Sequence, residues 1–334
     1  MQRVSVIIPA YNAAKTLGRT VVSLFAQTRK DLEIIVVDDG STDATPEICR
    51  DLQRISPVPM KVFRQKNKRQ SAARNAGIDM AEGDYVIFLD ADDFAEKKFV
   101  EKMAEAAESD PLVDIVCCSF DLLHGDGTSS PRSVGSHGNN MSTGEEALLR
   151  VMREELEVWT GSALYRQSML KDFQVYFDES VTMGQDIEFR WRAFYHARKV
   201  ALVPELLVHY VQHELSVTRS FDPVRFPPST WFDPSSFLKY LEERGESGKT
   251  LLSSLQNEII PRFTLRRMRN YILWGIEDFF WHSLKQEQTR QELQRGAGVF
   301  LRNPGVALKC FLLLYMPGRF YQRYRSQRAA LKRG

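Results

Sequence analysis

Three aspartates within four residues, Asp90, Asp92 and Asp93, close an unbroken apolar run from Tyr85 to Leu89. Carboxylates packed this densely repel one another unless something cationic sits among them. Hard oxygen donors suit Mg2+ or Mn2+, which are usually held by one or two carboxylates and shared with substrate phosphates. The same residues have a plainer use, since Asp92 or Asp93 could N-cap a helix over Glu96–Ser109. Two further polar groups follow apolar runs earlier in the chain: Tyr11-Asn12 and Asp38-Asp39. An aromatic face, paired carboxylates and an amide are the usual furniture of a nucleotide cleft, provided that the fold brings them together.

The elements that must do so can be read from periodicity. Val4–Pro9, Leu32–Val37, Met60–Arg64, Tyr85–Leu89 and Val113–Leu123 read as short strands, with Val4–Pro9 buried and Tyr85–Leu89 buried on both faces. Helical patterns separate them at Ala14–Gln27, Thr45–Ile55, Gln70–Met80 and Glu96–Ser109, the second with Ser41, Thr42 or Asp43 as its cap. This alternation predicts βαβ units, a largely parallel sheet and a crevice at its carboxyl edge. The three polar clusters should then meet at one rim, joined by Arg74 and Asn75 from the helix at Gln70. His124–Asn140 reads as an exposed loop, followed by a helix over Thr143–Glu157 and a small-residue turn at Thr160–Ala163. A helix over Ile187–Ala197 and a strand-like stretch over Lys199–Tyr210, interrupted by Pro204, complete this part.

Prolines at 223, 227, 228 and 234 mark a composition shift, which places the end of a first domain near residue 220. Helical patterns follow at Ser236–Glu243, Thr250–Asn257 and Arg262–Gln288. The expected organisation is a domain at 1–220, a helical extension at 221–298 and a basic segment at 299–334. Charge supports the last division. Nine cations and no acidic residue follow Glu292, so that residues 1–292 carry −7 in a chain of net +2. The four cysteines lack metal-ligand spacing, and Cys117 and Cys118 lie in an apolar run where burial is expected. No stretch reaches the ~20 apolar residues of a spanning helix and Val4–Pro9 begins the fold itself, so the body reads as soluble and without a signal peptide.

Taken together, these residues resemble the family 2 glycosyltransferases. Val4–Asn12 matches that family's opening strand with Pro-Ala-Tyr-Asn, and Ile34–Asp43 its Val-Val-Asp-Asp-Gly-Ser-Thr-Asp signature. Ala72–Gly77 matches its Ala-Arg-Asn-x-Gly helix, and Leu89–Asp93 its Asp-x-Asp segment. The resemblance covers about residues 1–220. It implies a GT-A fold, an α/β architecture with a Rossmann-like, mostly parallel sheet flanked by helices, here followed by a C-terminal helical extension. It also implies an inverting, metal-dependent transfer from a nucleotide-diphosphosugar, expected to be a UDP-sugar. By this resemblance Tyr11 stacks on the base, Pro9, Ala10 and Asn12 shape its pocket, and Asp39 accepts a hydrogen bond from it. Arg74 and Asn75 lie near the base or diphosphate, Asp90 with Ala91 holds the ribose, and Asp92 coordinates Mn2+ or Mg2+.

The resemblance further assigns the general base to Asp186 in Gly184-Gln185-Asp186, where Gln185 replaces the commoner Glu. Asp186 could equally cap the following helix. His213, in a segment resembling Tyr-Arg-x-His-x-x-Ser-x-Thr, is either a further metal or diphosphate contact or structural. Trp159 and Tyr165 resemble an element behind the acceptor site, where Trp159 either stacks on an acceptor sugar or joins the core. Relatives of this look build lipopolysaccharide, capsule or exopolysaccharide, which makes a saccharide or lipid-linked saccharide the expected acceptor. Val306–Met316, apolar but for Lys309 and followed by Arg319–Arg325, reads as an interfacial anchor on anionic lipid or as a helix packed on the body. The location so implied is cytoplasmic, peripheral on the inner face of the membrane, with no nucleic-acid partner. Two rivals stand beside this reading: a nucleotidyltransferase, which would release pyrophosphate, and a catalytically silent scaffold.

Overall fold

The computed structural model describes residues 2–135, 140–212, 227–245, 248–299 and 303–331. The chain divides into two compact units, Met1–Ser220 and Phe221–Gly334.

The first unit is built on one mixed sheet. Its strands are β1 (Val4–Ala10), β2 (Leu32–Asp38), β3 (Met60–Arg64), β4 (Tyr85–Phe88), β5 (Phe94–Ala95) and β6 (Val113–Leu123). They continue as β7 (Ser129–Arg132), β8 (Met141–Thr143), β9 (Ala163–Arg166) and β10 (Lys199–Val211). The order is β3-β2-β1-β4-β9-β6-β10-β5, with β7 on β6 and β8 on β10. Its helices are α1 (Leu17–Phe25), α2 (Thr45–Ile55), α3 (Arg69–Met80), α4 (Phe99–Glu108), α5 (Gly144–Met152), α6 (Gln167–Asp172) and α7 (Gln185–His196). Strands β3, β2, β1 and β4 run parallel, and β1 and β2 are buried along their whole length, Ser5 of β1 donating to Glu33 of β2 at 2.7 Å where polar residues interrupt the apolar runs.

The chain winds outward from β1 to β3 and then returns to lay β4 on the other side of β1. That reversal is a topological switch point, the place where open α/β sheets form their crevices. The ladder between β1 and β4 ends at Ile7↔Phe88, whereas β1 stays paired with β2 as far as Ala10↔Asp38. The sheet therefore splits at its carboxyl edge. Pro9 lies beyond the last β4 pair, where its missing N–H costs no ladder bond. Helix α3 must lie close on this part of the sheet, because a Cβ at Gly77 would come within 2.3 Å of Ile7 Cγ2.

Three features depart from the sequence expectation. Ala163–Arg166 is a strand, antiparallel to both β4 and β6 and so placed in the middle of the sheet. The expected loop 124–140 contains β7, which folds back on β6 through a turn with Gly127 in the left-handed region. Pro204 does not end its strand: the register slips between Val203 and Leu206, Pro204 and Glu205 bulge outward, and the ladder with β6 resumes. The parallel character therefore belongs to the first four strands and to the β6–β10 pair. Cys117 and Cys118 are fully buried, and burial pushes the Cys117 thiol up to about 12.

The second unit is helical: α8 (Pro234–Arg244), α9 (Lys249–Ser254), α10 (Ile260–Trp274), α11 (Glu277–Lys285), α12 (Glu287–Gly298), α13 (Pro304–Tyr315) and α14 (Pro317–Leu331). A π turn at Leu255–Ile259 joins α9 to α10 beside Pro261, which has no N–H to return to the preceding turn. Its core gathers Leu265, Met268, Ile272, Phe280, Leu293, Cys310, Leu313 and Phe320. The segment 304–321 thus contributes directly to that core.

Candidate active site

The loops after β1 and β2 hold each other. Asp39 N–H donates to the Ala10 carbonyl at 2.8 Å, and Asn12 N–H donates to Ser41 Oγ at 2.9 Å. Asn12 Oδ1 in turn accepts from Thr42 N–H at 2.8 Å. These bonds require Asn12 to adopt φ +50°, a left-handed conformation that asparagine tolerates better than most residues. The Asp39 carboxylate is 3% exposed, and its Oδ1 accepts from Gln65 Nε2 at 2.7 Å and from Lys68 N–H at 2.8 Å. Both bonds fall on one oxygen, so Oδ2 is the one left to meet a ligand. Gly40 takes φ +78° and leaves no room for a Cβ, which would lie 2.9 Å from Asn67 N. Tyr11 projects from this frame, 48% exposed. Pro9 and Ala10 form the buried end of β1 beneath it.

Across the split, Asp90 is bound from α3. Its Oδ1 accepts from Arg74 Nη2 at 2.7 Å and from Gln70 Nε2 at 3.0 Å. Arg74 is 2% exposed, with its guanidinium 5.0 Å from the centre of the Phe177 ring. Its Nε and Nη1 have no hydrogen-bond partner among the described residues. Asn75 is committed elsewhere: it donates to the Phe177 carbonyl at 2.9 Å and accepts from Phe177 N–H at 2.9 Å. That amide clamps the 177–179 segment to α3. Ala91 is nearly buried in the turn.

Asp92 and Asp93 do not cap a helix. Helix α4 starts at Phe99 with Lys98 in the cap position, and β5 lies between. The Asp92 carbonyl accepts from Arg19 Nη2 at 2.6 Å. Asp93 turns inward, fully buried, and accepts from Val211 N–H at 2.8 Å, which ties the end of β4 to the end of β10. Burial, reinforced by Asp92 and Asp90, pushes its carboxyl well above the ordinary carboxylate range. Among the described residues no three His, Cys, Asp or Glu side chains cluster as a metal cage. His213 lies outside the described residues.

Asp186 is likewise free of capping duty. Gly184, at φ +81°, is the N-cap of α7, and Asp186 is the second helical residue. One turn later Phe189 is fully buried, stacked 4.0 Å from Phe177 and edge-on to Phe88 at 5.4 Å. Phe88 ends β4 two residues before Asp90. The α7 N-terminus is thereby held beside the carboxyl end of β4. Burial above all pushes up the Tyr165 phenol, Cys117 and Asp186 add to this, and Arg190 and Arg74 oppose it.

Tyr165 itself is fully buried in β9, between Val86 and Ile115. It supports Phe88 and Phe189 from within, and its buried ring presents no surface to an acceptor. Trp159 precedes β9 at the same sheet edge, partly buried, with its ring 5.2 Å from Tyr210 and 5.9 Å from Phe120. Sequence reasoning passed over Gln65, Lys68 and Gln70, which orient Asp39 and Asp90, and Phe177, on which α7 rests. The first three stand in or beside the basic loop before α3, a usable signal. Phe177 lies in no motif.

The family model for Glycosyl transferase family 2 matches residues 5–174. Among curated proteins, the glycosyltransferase EpsJ of Bacillus subtilis (strain 168) is 33% identical over 219 residues, which is 64% of this chain and 62% of EpsJ. A Staphylococcus aureus poly(ribitol-phosphate) beta-N-acetylglucosaminyltransferase, TarS, is 27% identical over 212 residues, 63% of this chain and 35% of TarS. The match thus spans about three fifths of the first of these relatives and about a third of the second. Among solved structures, S. aureus TarS 1–349 in complex with UDP-GlcNAc aligns with a TM-score of 0.65 at 21% identity, covering 99% of this chain and 92% of that one. At that identity the likeness shows the fold, which is GT-A.

Proposed function

Because the chain belongs to glycosyl transferase family 2, we propose that it moves a sugar from a UDP-sugar onto a hydroxyl of a saccharide or lipid-linked saccharide, with inversion at the anomeric carbon. In this reading Tyr11 covers the base, Asp39 Oδ2 accepts its N–H, and Asp90, held by Arg74 and Gln70, receives the ribose. The acceptor oxygen attacks the anomeric carbon as Asp186 takes its proton, and the bond from that carbon to the diphosphate breaks, releasing UDP. One proton and one leaving group account for the step. The reading rests most on the packing of Phe189 against Phe88, since it keeps a carboxylate in no capping role beside the aspartates that close β4. The UDP-GlcNAc complex of the structurally similar TarS supports a uridine donor. The settings suggested by the resemblance support an acceptor in surface polysaccharide or lipopolysaccharide synthesis.

A divalent cation, Mn2+ or Mg2+, fits the donor set through Asp92. With Asp90 Oδ1 held by Arg74 and Gln70 and its other oxygen turned to the ribose, and Asp93 Oδ1 held by Val211 N–H, the protein would supply Asp92 and the diphosphate would supply the other oxygens. His213 would be an added ligand. Such an ion neutralises charge on a departing diphosphate. The local observation that favours a cation is the crowding of Asp90, Asp92 and Asp93, which together with burial pushes the Asp93 carboxyl up. The test is release of nucleoside diphosphate by the purified chain from a panel of nucleotide sugars, with Mn2+, Mg2+ or a chelator. UDP release that the chelator stops is expected; pyrophosphate release, or no release from any donor, overturns the reading.

A further inference from the structure

Helix α13 is apolar nearly all round, yet among the described residues only one side of it is buried against the protein. Val306, Ala307, Cys310, Leu313 and Leu314 are buried in the helical unit. On the other side Leu308, Phe311 and Tyr315 are 55%, 48% and 64% exposed. Their spacing of three and then four residues places them in one stripe. Single exposed apolar residues are ordinary, whereas a stripe of three with charged neighbours marks a surface that meets something else.

Cations border the stripe. Lys309, Arg319 and Arg323 line, with Leu312, Phe320 and Tyr324, a cleft of about 180 Å3 between α13 and α14. Among the described residues none of these three cations enters an ion pair. Arg328 on the same α14 does, with its Nη1 3.5 Å from Glu277 Oε1. No acidic residue follows Glu292, so the cleft has no counter-charge of its own from this segment. No helix of the described residues is long and apolar enough to cross a membrane.

We propose that the α13–α14 face docks on a bilayer rich in anionic phospholipid, with Leu308, Phe311 and Tyr315 entering the headgroup–acyl boundary and Lys309, Arg319 and Arg323 gripping lipid phosphates. A helix with one apolar side free and cations beside it suits that interface. Nucleic acid offers the same phosphates but no hydrocarbon to cover Leu308. The proposal is independent of the chemistry at the sheet edge and holds or fails without it.

The test is sedimentation of the full chain with vesicles of phosphatidylcholine, with or without phosphatidylglycerol. Binding only to the anionic vesicles, weakening with added salt, is expected. Lys309→Glu/Arg319→Glu/Arg323→Glu should lower partitioning about a hundredfold or more, from roughly fivefold per basic residue. Phe311→Ser/Tyr315→Ser should lower it about tenfold at every salt concentration. All five side chains are exposed, and an unchanged thermal transition checks the fold. Lys97→Glu/Lys98→Glu/Lys171→Glu makes the same charge change elsewhere and should bind as the unaltered protein does. Equal binding to neutral vesicles, an equal loss in that control, or indifference to Phe311→Ser/Tyr315→Ser overturns the proposal. So does release from vesicles by inorganic phosphate alone, or binding of a DNA duplex in preference to them.

Discussion

The two sides of the split sheet edge are held by different forces. On the β1–β2 side, Asn12, Ser41, Thr42 and Asp39 are fixed by short polar bonds to backbone groups of neighbouring turns. On the β4–β9 side, α7 is fixed by rings: Phe88, Tyr165, Phe177 and Phe189 form one buried aromatic cluster. Directional bonds give exact placement to a few atoms and demand particular residues at particular positions. Ring packing places a whole helix and accepts many sequences. The side expected to bind nucleotide is thus written in polar motifs, and the side expected to supply the base is written in shape.

Replacing the base candidate tests the difference most sharply. Asp186→Asn keeps the size of the side chain and removes its capacity for a proton. General-base catalysis is worth roughly 10²–10⁴-fold, so transfer should fall about a thousandfold while UDP affinity, measured by titration, stays unchanged. Retention of transfer would remove Asp186 from its role. Phe189→Ala attacks the same side through packing. Loss of a fully buried Phe costs about 3–5 kcal/mol, to be read from denaturant midpoints. Turnover should fall more than UDP binding does, because α7 loses its seat while the β1–β2 loops keep theirs. Equal losses in both would mean that the two sides are not separately held.

This contrast also explains what was legible in the chain. Strands β1, β2 and β4 could be read because each is an apolar run broken by at most one polar residue and ending in polar residues, and the site residues follow those runs directly. Strand β9 could not. Ala163–Arg166 is four residues long, follows Thr-Gly-Ser, and pairs antiparallel with two strands far from it in sequence. Nothing local marks it. The burial of Tyr165, which removes it from any acceptor surface, follows from that insertion and was hidden with it. Pro204 reads as a strand break until the partner β6 shows that a bulge can absorb it. The bonds made by Asn75 to Phe177 join residues 102 positions apart, beyond any spacing argument.

A smaller effect should appear as a pH dependence of stability. Glu188, 2% exposed on α7, is pushed up to about 7, chiefly by burial and further by Asp178, although Arg192 Nη2 lies 2.5 Å from its Oε1. Burial outweighs the ion pair. A carboxyl raised in the folded state holds its proton there while the unfolded chain has already lost it. Stability must therefore fall as pH rises from about 4.5 to about 7, by on the order of 3 kcal/mol at about 1.4 kcal/mol per unit. Glu188→Gln, which cannot ionise, should lack this part of the decline when denaturant midpoints at about pH 5 and about pH 8 are compared. A variant with the same decline as the parent would show that Glu188 is ionised in the fold.

The mildest change probes the polar side one atom at a time. In Asp39→Asn the side-chain oxygen stays with Gln65 Nε2 and Lys68 N–H, because both are donors. The new amide nitrogen must then replace Oδ2 and face the base. Opposite a uracil N3–H it sets donor against donor, and a lost hydrogen bond to a charged acceptor is worth about 1.5–3 kcal/mol. UDP affinity should drop about tenfold to a hundredfold with stability nearly unchanged. Cytosine carries an acceptor at the same ring position, so CDP should lose less than UDP or gain. Titration of both nucleotides decides the matter: an unaltered UDP affinity would mean that Asp39 braces the loop at Lys68 and never touches the base.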